Sequence, residues 1–584
     1  MKNLYSLNIY ILKYKKLLIF GIIFILISNI FALYPAEFVK EAFDRIEEQS
    51  KNNQNQEIHK TLLKYSFLII LFAILKGLFT YLMRQTIIVM SRKIEFDLKN
   101  NIFNKYQKLS LAFYKKNSTG DLMNRITEDV SRVRMYLGPA IMYIISLIIL
   151  FALVIWKMTI ESPTLTIYVL TPLPILAITV YYVSHHINKN SEKVQQQLSD
   201  ITSMSQESFS AIKLIKSFKN ENHSVKSFLN YCTTYTKKQL QLVSIEAWFF
   251  PLIILLVGTS TVVTIYIGGK LSIEGDITNG NIAQFIIYIN MLTWPVASIG
   301  WATSLIQRAE ASMSRINEFL KQDCEIYNNK KISNPENNNI LFKNVFFKYP
   351  DTGIQALKNI SFEIKENQTL GIFGRTGSGK STVAHLITRI YDRDSGKVLI
   401  GNKDINKIDL KYLREKIGYV PQDGFLFSGT IFENISFGQD KKSIDQVIEV
   451  AKIAEITDEI DRFKNKYNTV IGERGVQLSG GQRQRISIAR AIYINPDIYI
   501  FDDCLSAIDA NKEKLILQNI KNKTKAKTNI IISHRTSSLI HADHIIVLDN
   551  GEIIEEGNHD NLIQKNGFYS KIHKKQITSK KSHK

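Results

Sequence analysis

Two unlike halves are expected in this chain: a helical membrane domain of six spans, followed by an α/β domain built to hold a phosphate. Three observations carry that expectation. Apolar runs of 18 or more residues recur through about the first 310 of the 584 residues and are missing from the rest,. From Ile340 onward short β-rich runs alternate with helical patterns,. Between one such run, Gln368–Phe373, and a helical stretch, Ser381–Tyr391, lies Gly374-Arg375-Thr376-Gly377-Ser378-Gly379-Lys380-Ser381-Thr382. That is the G-x-x-x-x-G-K-[ST] spacing in its strand-to-helix context. Glycines there let the backbone wrap a phosphate without a Cβ in the way. The helix that follows aims its free N–H groups at the anion. Lys380 supplies a cation for the β- and γ-phosphates, and Ser381 a hydroxyl for Mg²⁺.

Composition removes several function classes. The net charge of +21 would suit nucleic acid, but the lysines lie in polar stretches beside the apolar runs, as positive-inside topology requires,. Nucleic acid is therefore not an expected partner. Three cysteines (Cys232, Cys324 and Cys504) are too far apart for a disulfide framework or a zinc site,. Lysines precede the first apolar run, yet that run is long and has no small-residue cleavage site, so it reads as a retained membrane helix.

In chain order, residues 1–16 place Tyr5, Tyr10 and Tyr14 among Lys13, Lys15 and Lys16, the pattern of a segment lying on the membrane face,. Spans are expected at about 17–36, 66–90, 137–158, 165–184, 248–267 and 282–305 within a membrane domain of residues 1–320. The first ends at Pro35; Glu161-Ser162-Pro163 turns the chain between the third and fourth. Stretches 91–136 and 185–245 are basic and helical in pattern, with apolar positions such as Leu122, Ile126, Val130 and Val133. They are expected to continue the spans as helical extensions reaching roughly 35–40 Å from the membrane. Six spans and basic inner loops put both termini and the soluble domain on the cytoplasmic side of the membrane. Pro172, Pro174, Pro251 and Pro295 are expected to kink their spans. Lys76 and Arg84 fall inside the second span, where a cation faces a polar cavity or a neighbouring helix, or snorkels. Asn29, Lys76, Gln284 and Asn290 are candidate cavity residues. Residues 321–339 form an Asn- and Lys-rich linker, 340–575 the nucleotide domain and 576–584 a basic tail.

A phosphate loop of this kind needs a carboxylate strand beside it, and Ile498-Tyr-Ile-Phe-Asp502-Asp503 supplies one. Asp502 is placed to hold Mg²⁺ through water, and Asp503 to polarise an attacking water.

With these motifs together the chain resembles the ATP-binding cassette family. The specific match is Leu478-Ser479-Gly480-Gly481-Gln482, similar to that family's signature sequence. By the same resemblance Tyr349 is the aromatic that stacks on adenine and Gln422 the glutamine at the Mg²⁺ that senses the membrane domain. Glu473 falls in the loop that couples the domains, Asp509 in the dimer-contact loop, and His534 is the switch histidine for the γ-phosphate. Six spans ahead of one cassette resemble bacterial half-transporters of the exporter type. Residues Thr119–Arg125 and Ser208–Phe218 look like that family's inner-loop motifs.

The resemblance implies ATP and Mg²⁺ as cofactors and a dimer in which one chain's signature completes the other chain's phosphate loop. It implies ATP-driven export, by alternating access, of a drug, lipid or peptide through a lipid-embedded domain. The alternatives on the same frame are an ATP-gated channel, a regulatory receptor, or an importer with an exporter-like fold. One departure stands out: the family's usual residue after the Mg²⁺ aspartate is glutamate, and here it is Asp503. A carboxylate one methylene short loosens near-attack geometry, at a cost of roughly a hundredfold. That favours a heterodimer with a second half-transporter over a homodimer.

Overall fold

The computed structural model describes residues 2–51, 55–327, 335–472 and 478–581. Two compact units emerge: Met1–Tyr106 with Gly120–Gln322, and Gln107–Thr119 with Asp323–Lys584.

The first unit is helical. Its long helices are α1 (Lys15–Lys51), α2 (Asn55–Tyr106), α3 (Ile141–Glu161), α4 (Pro172–Ser210), α5 (Glu221–Glu274) and α6 (Asn279–Leu320). Among the described residues, four stretches are long and apolar enough to cross a membrane: Lys15–Gln49, Ile58–Tyr106, Thr119–Glu161 and Glu221–Glu274. Helices α4 and α6 contain most of the fourth apolar run and all of the sixth. Pro35 lies inside α1 instead of ending it, because a proline whose ring clears the preceding turn costs one hydrogen bond and can be absorbed by packing. The short helix Pro163–Leu170 starts with Ser162 accepting from Leu165 N–H, and Thr171 separates it from α4.

Helices α1 and α2 pack through a ladder of rings, Phe31 and Tyr34 against Phe72 with centroids 5.5 and 4.6 Å apart. Gly21 permits a close approach: a Cβ there would collide with Ile87. At the end of α1 remote from the basic extensions, Lys157 pairs with Glu37 at 2.5 Å, and Glu161 accepts from both Lys40 and Asn281. In the extension after residue 119, Leu122, Val130 and Val133 are buried, and the buried Asp129 carboxylate takes two bonds from Arg315. The stretch 91–136 is divided between several helices. It breaks after Tyr106, and a six-residue helix, Leu111–Lys116, belongs to the second unit, with Ala112 in that unit's core.

The second unit is built on two main sheets and a short antiparallel pair, β7 (Gly429–Thr430) with β8 (Val470–Ile471). One main sheet is antiparallel, β2 (Gln355–Ile364) beside β1 (Ile340–Lys348), then β4 (Ser395–Ile400) and β5 (Lys403–Asp404). The other runs β12 (Glu552–Gly557), β11 (His544–Asp549), β3 (Thr369–Gly374), β10 (Thr528–Ser533), β9 (Ile498–Asp502) and β6 (Ile417–Val420). All its pairings are parallel except β11 with β12. Strand β9 is buried throughout, as a parallel strand covered on both faces must be,. The ends of neighbouring β3 and β10 and of β9 share one edge, and that edge collects the phosphate loop, the two aspartates and His534.

Candidate nucleotide site

Strand β3 runs into the loop and then into α7 (Lys380–Ile387). Gly377 and Gly379 take φ of 82° and 99°, the left-handed region that glycine enters without strain,. A Cβ at Gly379 would collide with the Ala356 carbonyl, and one at Gly374 with the Leu548 carbonyl. Lys380 is buried and its ammonium donates to the Gly374 and Arg375 carbonyls at 2.9 and 2.6 Å. Burial pulls that ammonium below its ordinary range, while Asp503 and Asp502 work against the shift,. Arg375, Thr376 and Gly377 are exposed at the loop's tip, and Ser378 is buried with its hydroxyl unbonded.

Across the cleft, Ser381 Oγ donates to Asp502 Oδ1 at 2.9 Å and Tyr419 OH to Oδ2 at 3.3 Å. Burial lifts Asp502 above the usual carboxylate range, against those two hydrogen bonds. Asp503 turns the chain out of β9 with φ of 43°, a conformation that aspartate tolerates better than most residues,. Its Oδ1 is 2.9 Å from His534 Nδ1, and Gln422 Nε2 reaches its Oδ2 at 3.4 Å. Tyr349 is half-buried at the rim, its hydroxyl 2.9 Å from Thr382 Oγ1. Tyr349, Lys380, Ser381, Gln422, Asp502, Asp503 and His534 line one cleft of about 570 Å³. Ser381, Asp502 and Gln422 offer hydroxyl, carboxylate and amide oxygens, a hard donor set suited to Mg²⁺. The unbonded Ser378 hydroxyl and the glycine cradle suit a phosphate.

The Leu478–Gln482 sequence does not line that cleft. It opens α8 (Gly480–Tyr493), with Ser479 as N-cap: its hydroxyl accepts from Gln482 N–H at 3.2 Å and Gln482 Oε1 accepts from Ser479 N–H at 2.9 Å,. Asp509 is exposed and caps α9 (Ala510–Lys523) by accepting from Asn511 N–H. Glu473 lies outside the described residues.

Four groups that carry no motif prove to hold these parts. Glu459 accepts from Gln482, Arg485 and Lys512 at 2.9, 2.8 and 2.6 Å beneath the signature helix. Burial alone would raise it, but those donors carry it down to about 2. Gln484 ties two loops together, donating to the Gln422 carbonyl and accepting from Ala507 N–H. Gln576, on α10 (Phe568–Lys581), donates to the His534 carbonyl and accepts from Thr536 N–H, at 2.9 and 3.0 Å. Lys115, on the short helix of this unit, holds its ammonium 4.9 Å from the Tyr349 ring centre,.

Residues 18–296 match the family described as ABC transporter transmembrane region, and residues 357–506 match the ABC transporter family. The chain is 35% identical over 570 residues to the "Multidrug resistance-like ATP-binding protein MdlA" of Buchnera aphidicola subsp. Schizaphis graminum, covering 97% of each. It belongs to the ABC transporter family. A "Probable multidrug resistance ABC transporter ATP-binding/permease protein YheI" of Bacillus subtilis is 32% identical over 95% of this ABC transporter and 94% of its own length. Among solved structures, a bacterial Atm1-family ABC exporter with ATP bound aligns with a TM-score of 0.77 at 25% identity, over 96% of this chain and 98% of that one. The transporter thus pairs a helical membrane domain with an ATP-hydrolysing cassette coupled to transport.

Two of the candidate cavity residues are buried in the membrane unit. Asn29 is buried, donating to the Ser146 carbonyl at 3.1 Å, and Gln284 is buried against Tyr288 OH at 3.1 Å. The Asn29 amide thus bonds a neighbouring helix, whereas Gln284 Nε2 bonds one turn along its own helix and its Oε1 is buried without a hydrogen bond. Asn290 and Lys76 are exposed.

Proposed function

We propose that this ABC exporter moves a hydrophobic or amphipathic small molecule, lipid or peptide out across a bacterial cytoplasmic membrane, as one half of a dimer with six spans per chain. Both termini and the cassette face the cytoplasm. The observation that carries the reading is the single cleft joining Lys380, Ser381, Asp502, Asp503, Gln422 and His534. Lys380 binds the β- and γ-phosphates, and Tyr349 stacks on adenine. Ser381, Gln422 and Asp502 would hold Mg²⁺, which supplies charge neutralisation on the phosphates. Asp503 accepts a proton from the attacking water, while His534, oriented through its Nδ1 contact with Asp503, presents Nε2 toward the γ-phosphate.

The signature Leu478–Gln482, with Asp509 beside it, acts on the partner's nucleotide. Its place outside the cleft of its own chain supports that division. Glu473 belongs to the loop that couples cassette and membrane domain. The shortened carboxylate of Asp503 supports a heterodimer.

Inside-out vesicles separate export from the alternatives. Uptake of a labelled substrate against its gradient, dependent on ATP and absent in Lys380→Ala, is expected. Equilibration without accumulation would make the protein a channel.

A further inference from the structure

The second apolar stretch, 66–90, contains two cations, Lys76 and Arg84. Lys76 lies ten residues from its outer end and fourteen from its inner end. At 1.5 Å per residue that is about 15 and about 21 Å, farther than a lysine stem can carry its charge. Arg84 sits eight residues further in, about 12 Å along the helix.

Three other cations of this unit are held by acids. Lys157 pairs with Glu37, Lys40 with Glu161 and Arg315 with Asp129. For Lys76 and Arg84 no such acid exists at their depth: none of the stretches 17–36, 66–90, 137–158, 165–184, 248–267 and 282–305 contains an aspartate or glutamate. A second copy of this chain would bring none either. A charge at membrane depth without a counter-charge is costly, and a ligand is the remaining source of the negative group.

The surface around them fits. Helix α2 shows one exposed stripe of large apolar side chains, including Phe67, Ile74, Leu78 and Tyr81, suited to lipid. A neighbouring stripe at three- and four-residue steps is small or polar instead: Ala73, Gly77, Thr80 and Arg84,. A Cβ on Gly77 would meet nothing. Lys76 emerges where this stripe meets α1, its carbonyl accepting from Ser28, whose hydroxyl is also 2.9 Å from Thr80 Oγ1. Both cationic side chains are exposed.

We infer that the ligand of this transporter is an amphipathic anion, its charged head met by Lys76 and its approach from the inner side guided by Arg84. This rests on the exporter reading and specifies its substrate class.

The test uses two fluorescent probes with one skeleton, 8-anilinonaphthalene-1-sulfonate and N-phenyl-1-naphthylamine, which differ only in the sulfonate. Binding is titrated to the full chain, with its partner chain if one is required, in phosphatidylcholine nanodiscs. The sulfonate is expected to bind at least tenfold more tightly than the neutral probe. Lys76→Gln should remove that tenfold, Lys76→Arg should keep it, and Arg84→Gln should cost a smaller factor, with the neutral probe unmoved throughout. Equal binding of the two probes, or a sulfonate affinity untouched by Lys76→Gln, overturns the inference; an acid supplied by an unlike partner would produce that result. If Lys76→Gln does not fold, the wild-type probe ratio and its survival in Lys76→Arg decide.

Adding phosphatidylglycerol distinguishes sources. Competition lost in Lys76→Gln means that a lipid headgroup takes the same site, and no competition points to a free amphiphile. Binding needs no ATP. Charge-selective binding without ATP-driven accumulation would therefore leave the anion site standing and remove the exporter reading, and the converse result would do the reverse.

Discussion

At the scale of single residues the cassette depends on charges held in awkward places. Lys380 is a buried ammonium whose hydrogen bonds go to loop carbonyls. Lys380→Ala removes the cation facing the phosphates, so ATP hydrolysis should fall to background and nucleotide affinity should drop sharply, read by ATPase assay and by titration with a fluorescent ATP analogue. Tyr349→Ala removes a ring that Lys115 and Thr382 hold in place. Its loss should weaken ATP by roughly 0.5–1.5 kcal/mol, the scale of an aromatic pair, and leave affinity for inorganic triphosphate unchanged. Legibility at this scale divides by chemistry. Residues proposed to meet the nucleotide or its metal sit at motif spacings, and the structure brings Lys380, Ser381 and Asp502 into one cleft. Glu459, Gln484 and Gln576 touch only other side chains and loops from distant parts of the sequence. Nothing local marks them, since a Glu or Gln on a polar helix face is ordinary.

At the scale of elements, helices near the site act as clasps. The signature helix α8 stands on Glu459, whose carboxyl three donors hold down to about 2. A carboxyl depressed in the folded state contributes stability above the ordinary range of about 4.3 and loses it as pH falls toward the folded value. Glu459→Gln should therefore lower the urea midpoint at pH 7 and flatten the acid limb between pH about 4 and 2. An unchanged acid limb would mean that this cluster does not anchor the helix. The C-terminal helix α10 holds the histidine loop through Gln576. Gln576→Ala should lower kcat several-fold with little change in KM for ATP, because it loosens His534 and not the phosphate loop, whereas a general loss of stability would move Tm and KM as well. Element boundaries were less legible than motifs. Pro35 did not end its helix, and the break after Tyr106 that gives Leu111–Lys116 to the second unit has no glycine or proline to announce it. Packing decided both, and packing is a property of partners far away in sequence.

For the whole molecule, the proposed dimer can be built from two copies of this chain or from two different chains. The division into a helical half and an α/β half was plain from hydropathy and from one glycine loop, because lipid and phosphate each impose a strong local pattern. The identity of the second chain imposes none, and only Asp503 speaks to it. Asp503→Asn keeps the residue's size and its tolerance of the left-handed backbone, while it removes the charge and turns one of the two oxygens that face His534 and Gln422 into an NH2 donor,. In a heterodimer this chain's phosphate loop forms the slow site, while its Ser479 end completes the partner's fast one. Asp503→Asn should then leave most of the ATPase intact, and Ser479→Arg, which blocks the helix N-terminus with a bulky cation, should cripple it. In a homodimer both substitutions would be severe, and Asp503→Glu would raise the rate by restoring reach. The deciding measurement is the ATPase of the purified chain alone and then with a candidate second half-transporter. Robust turnover by the isolated chain, destroyed by Asp503→Asn, would rule out the unequal pair and make aspartate the working carboxylate of a symmetric enzyme.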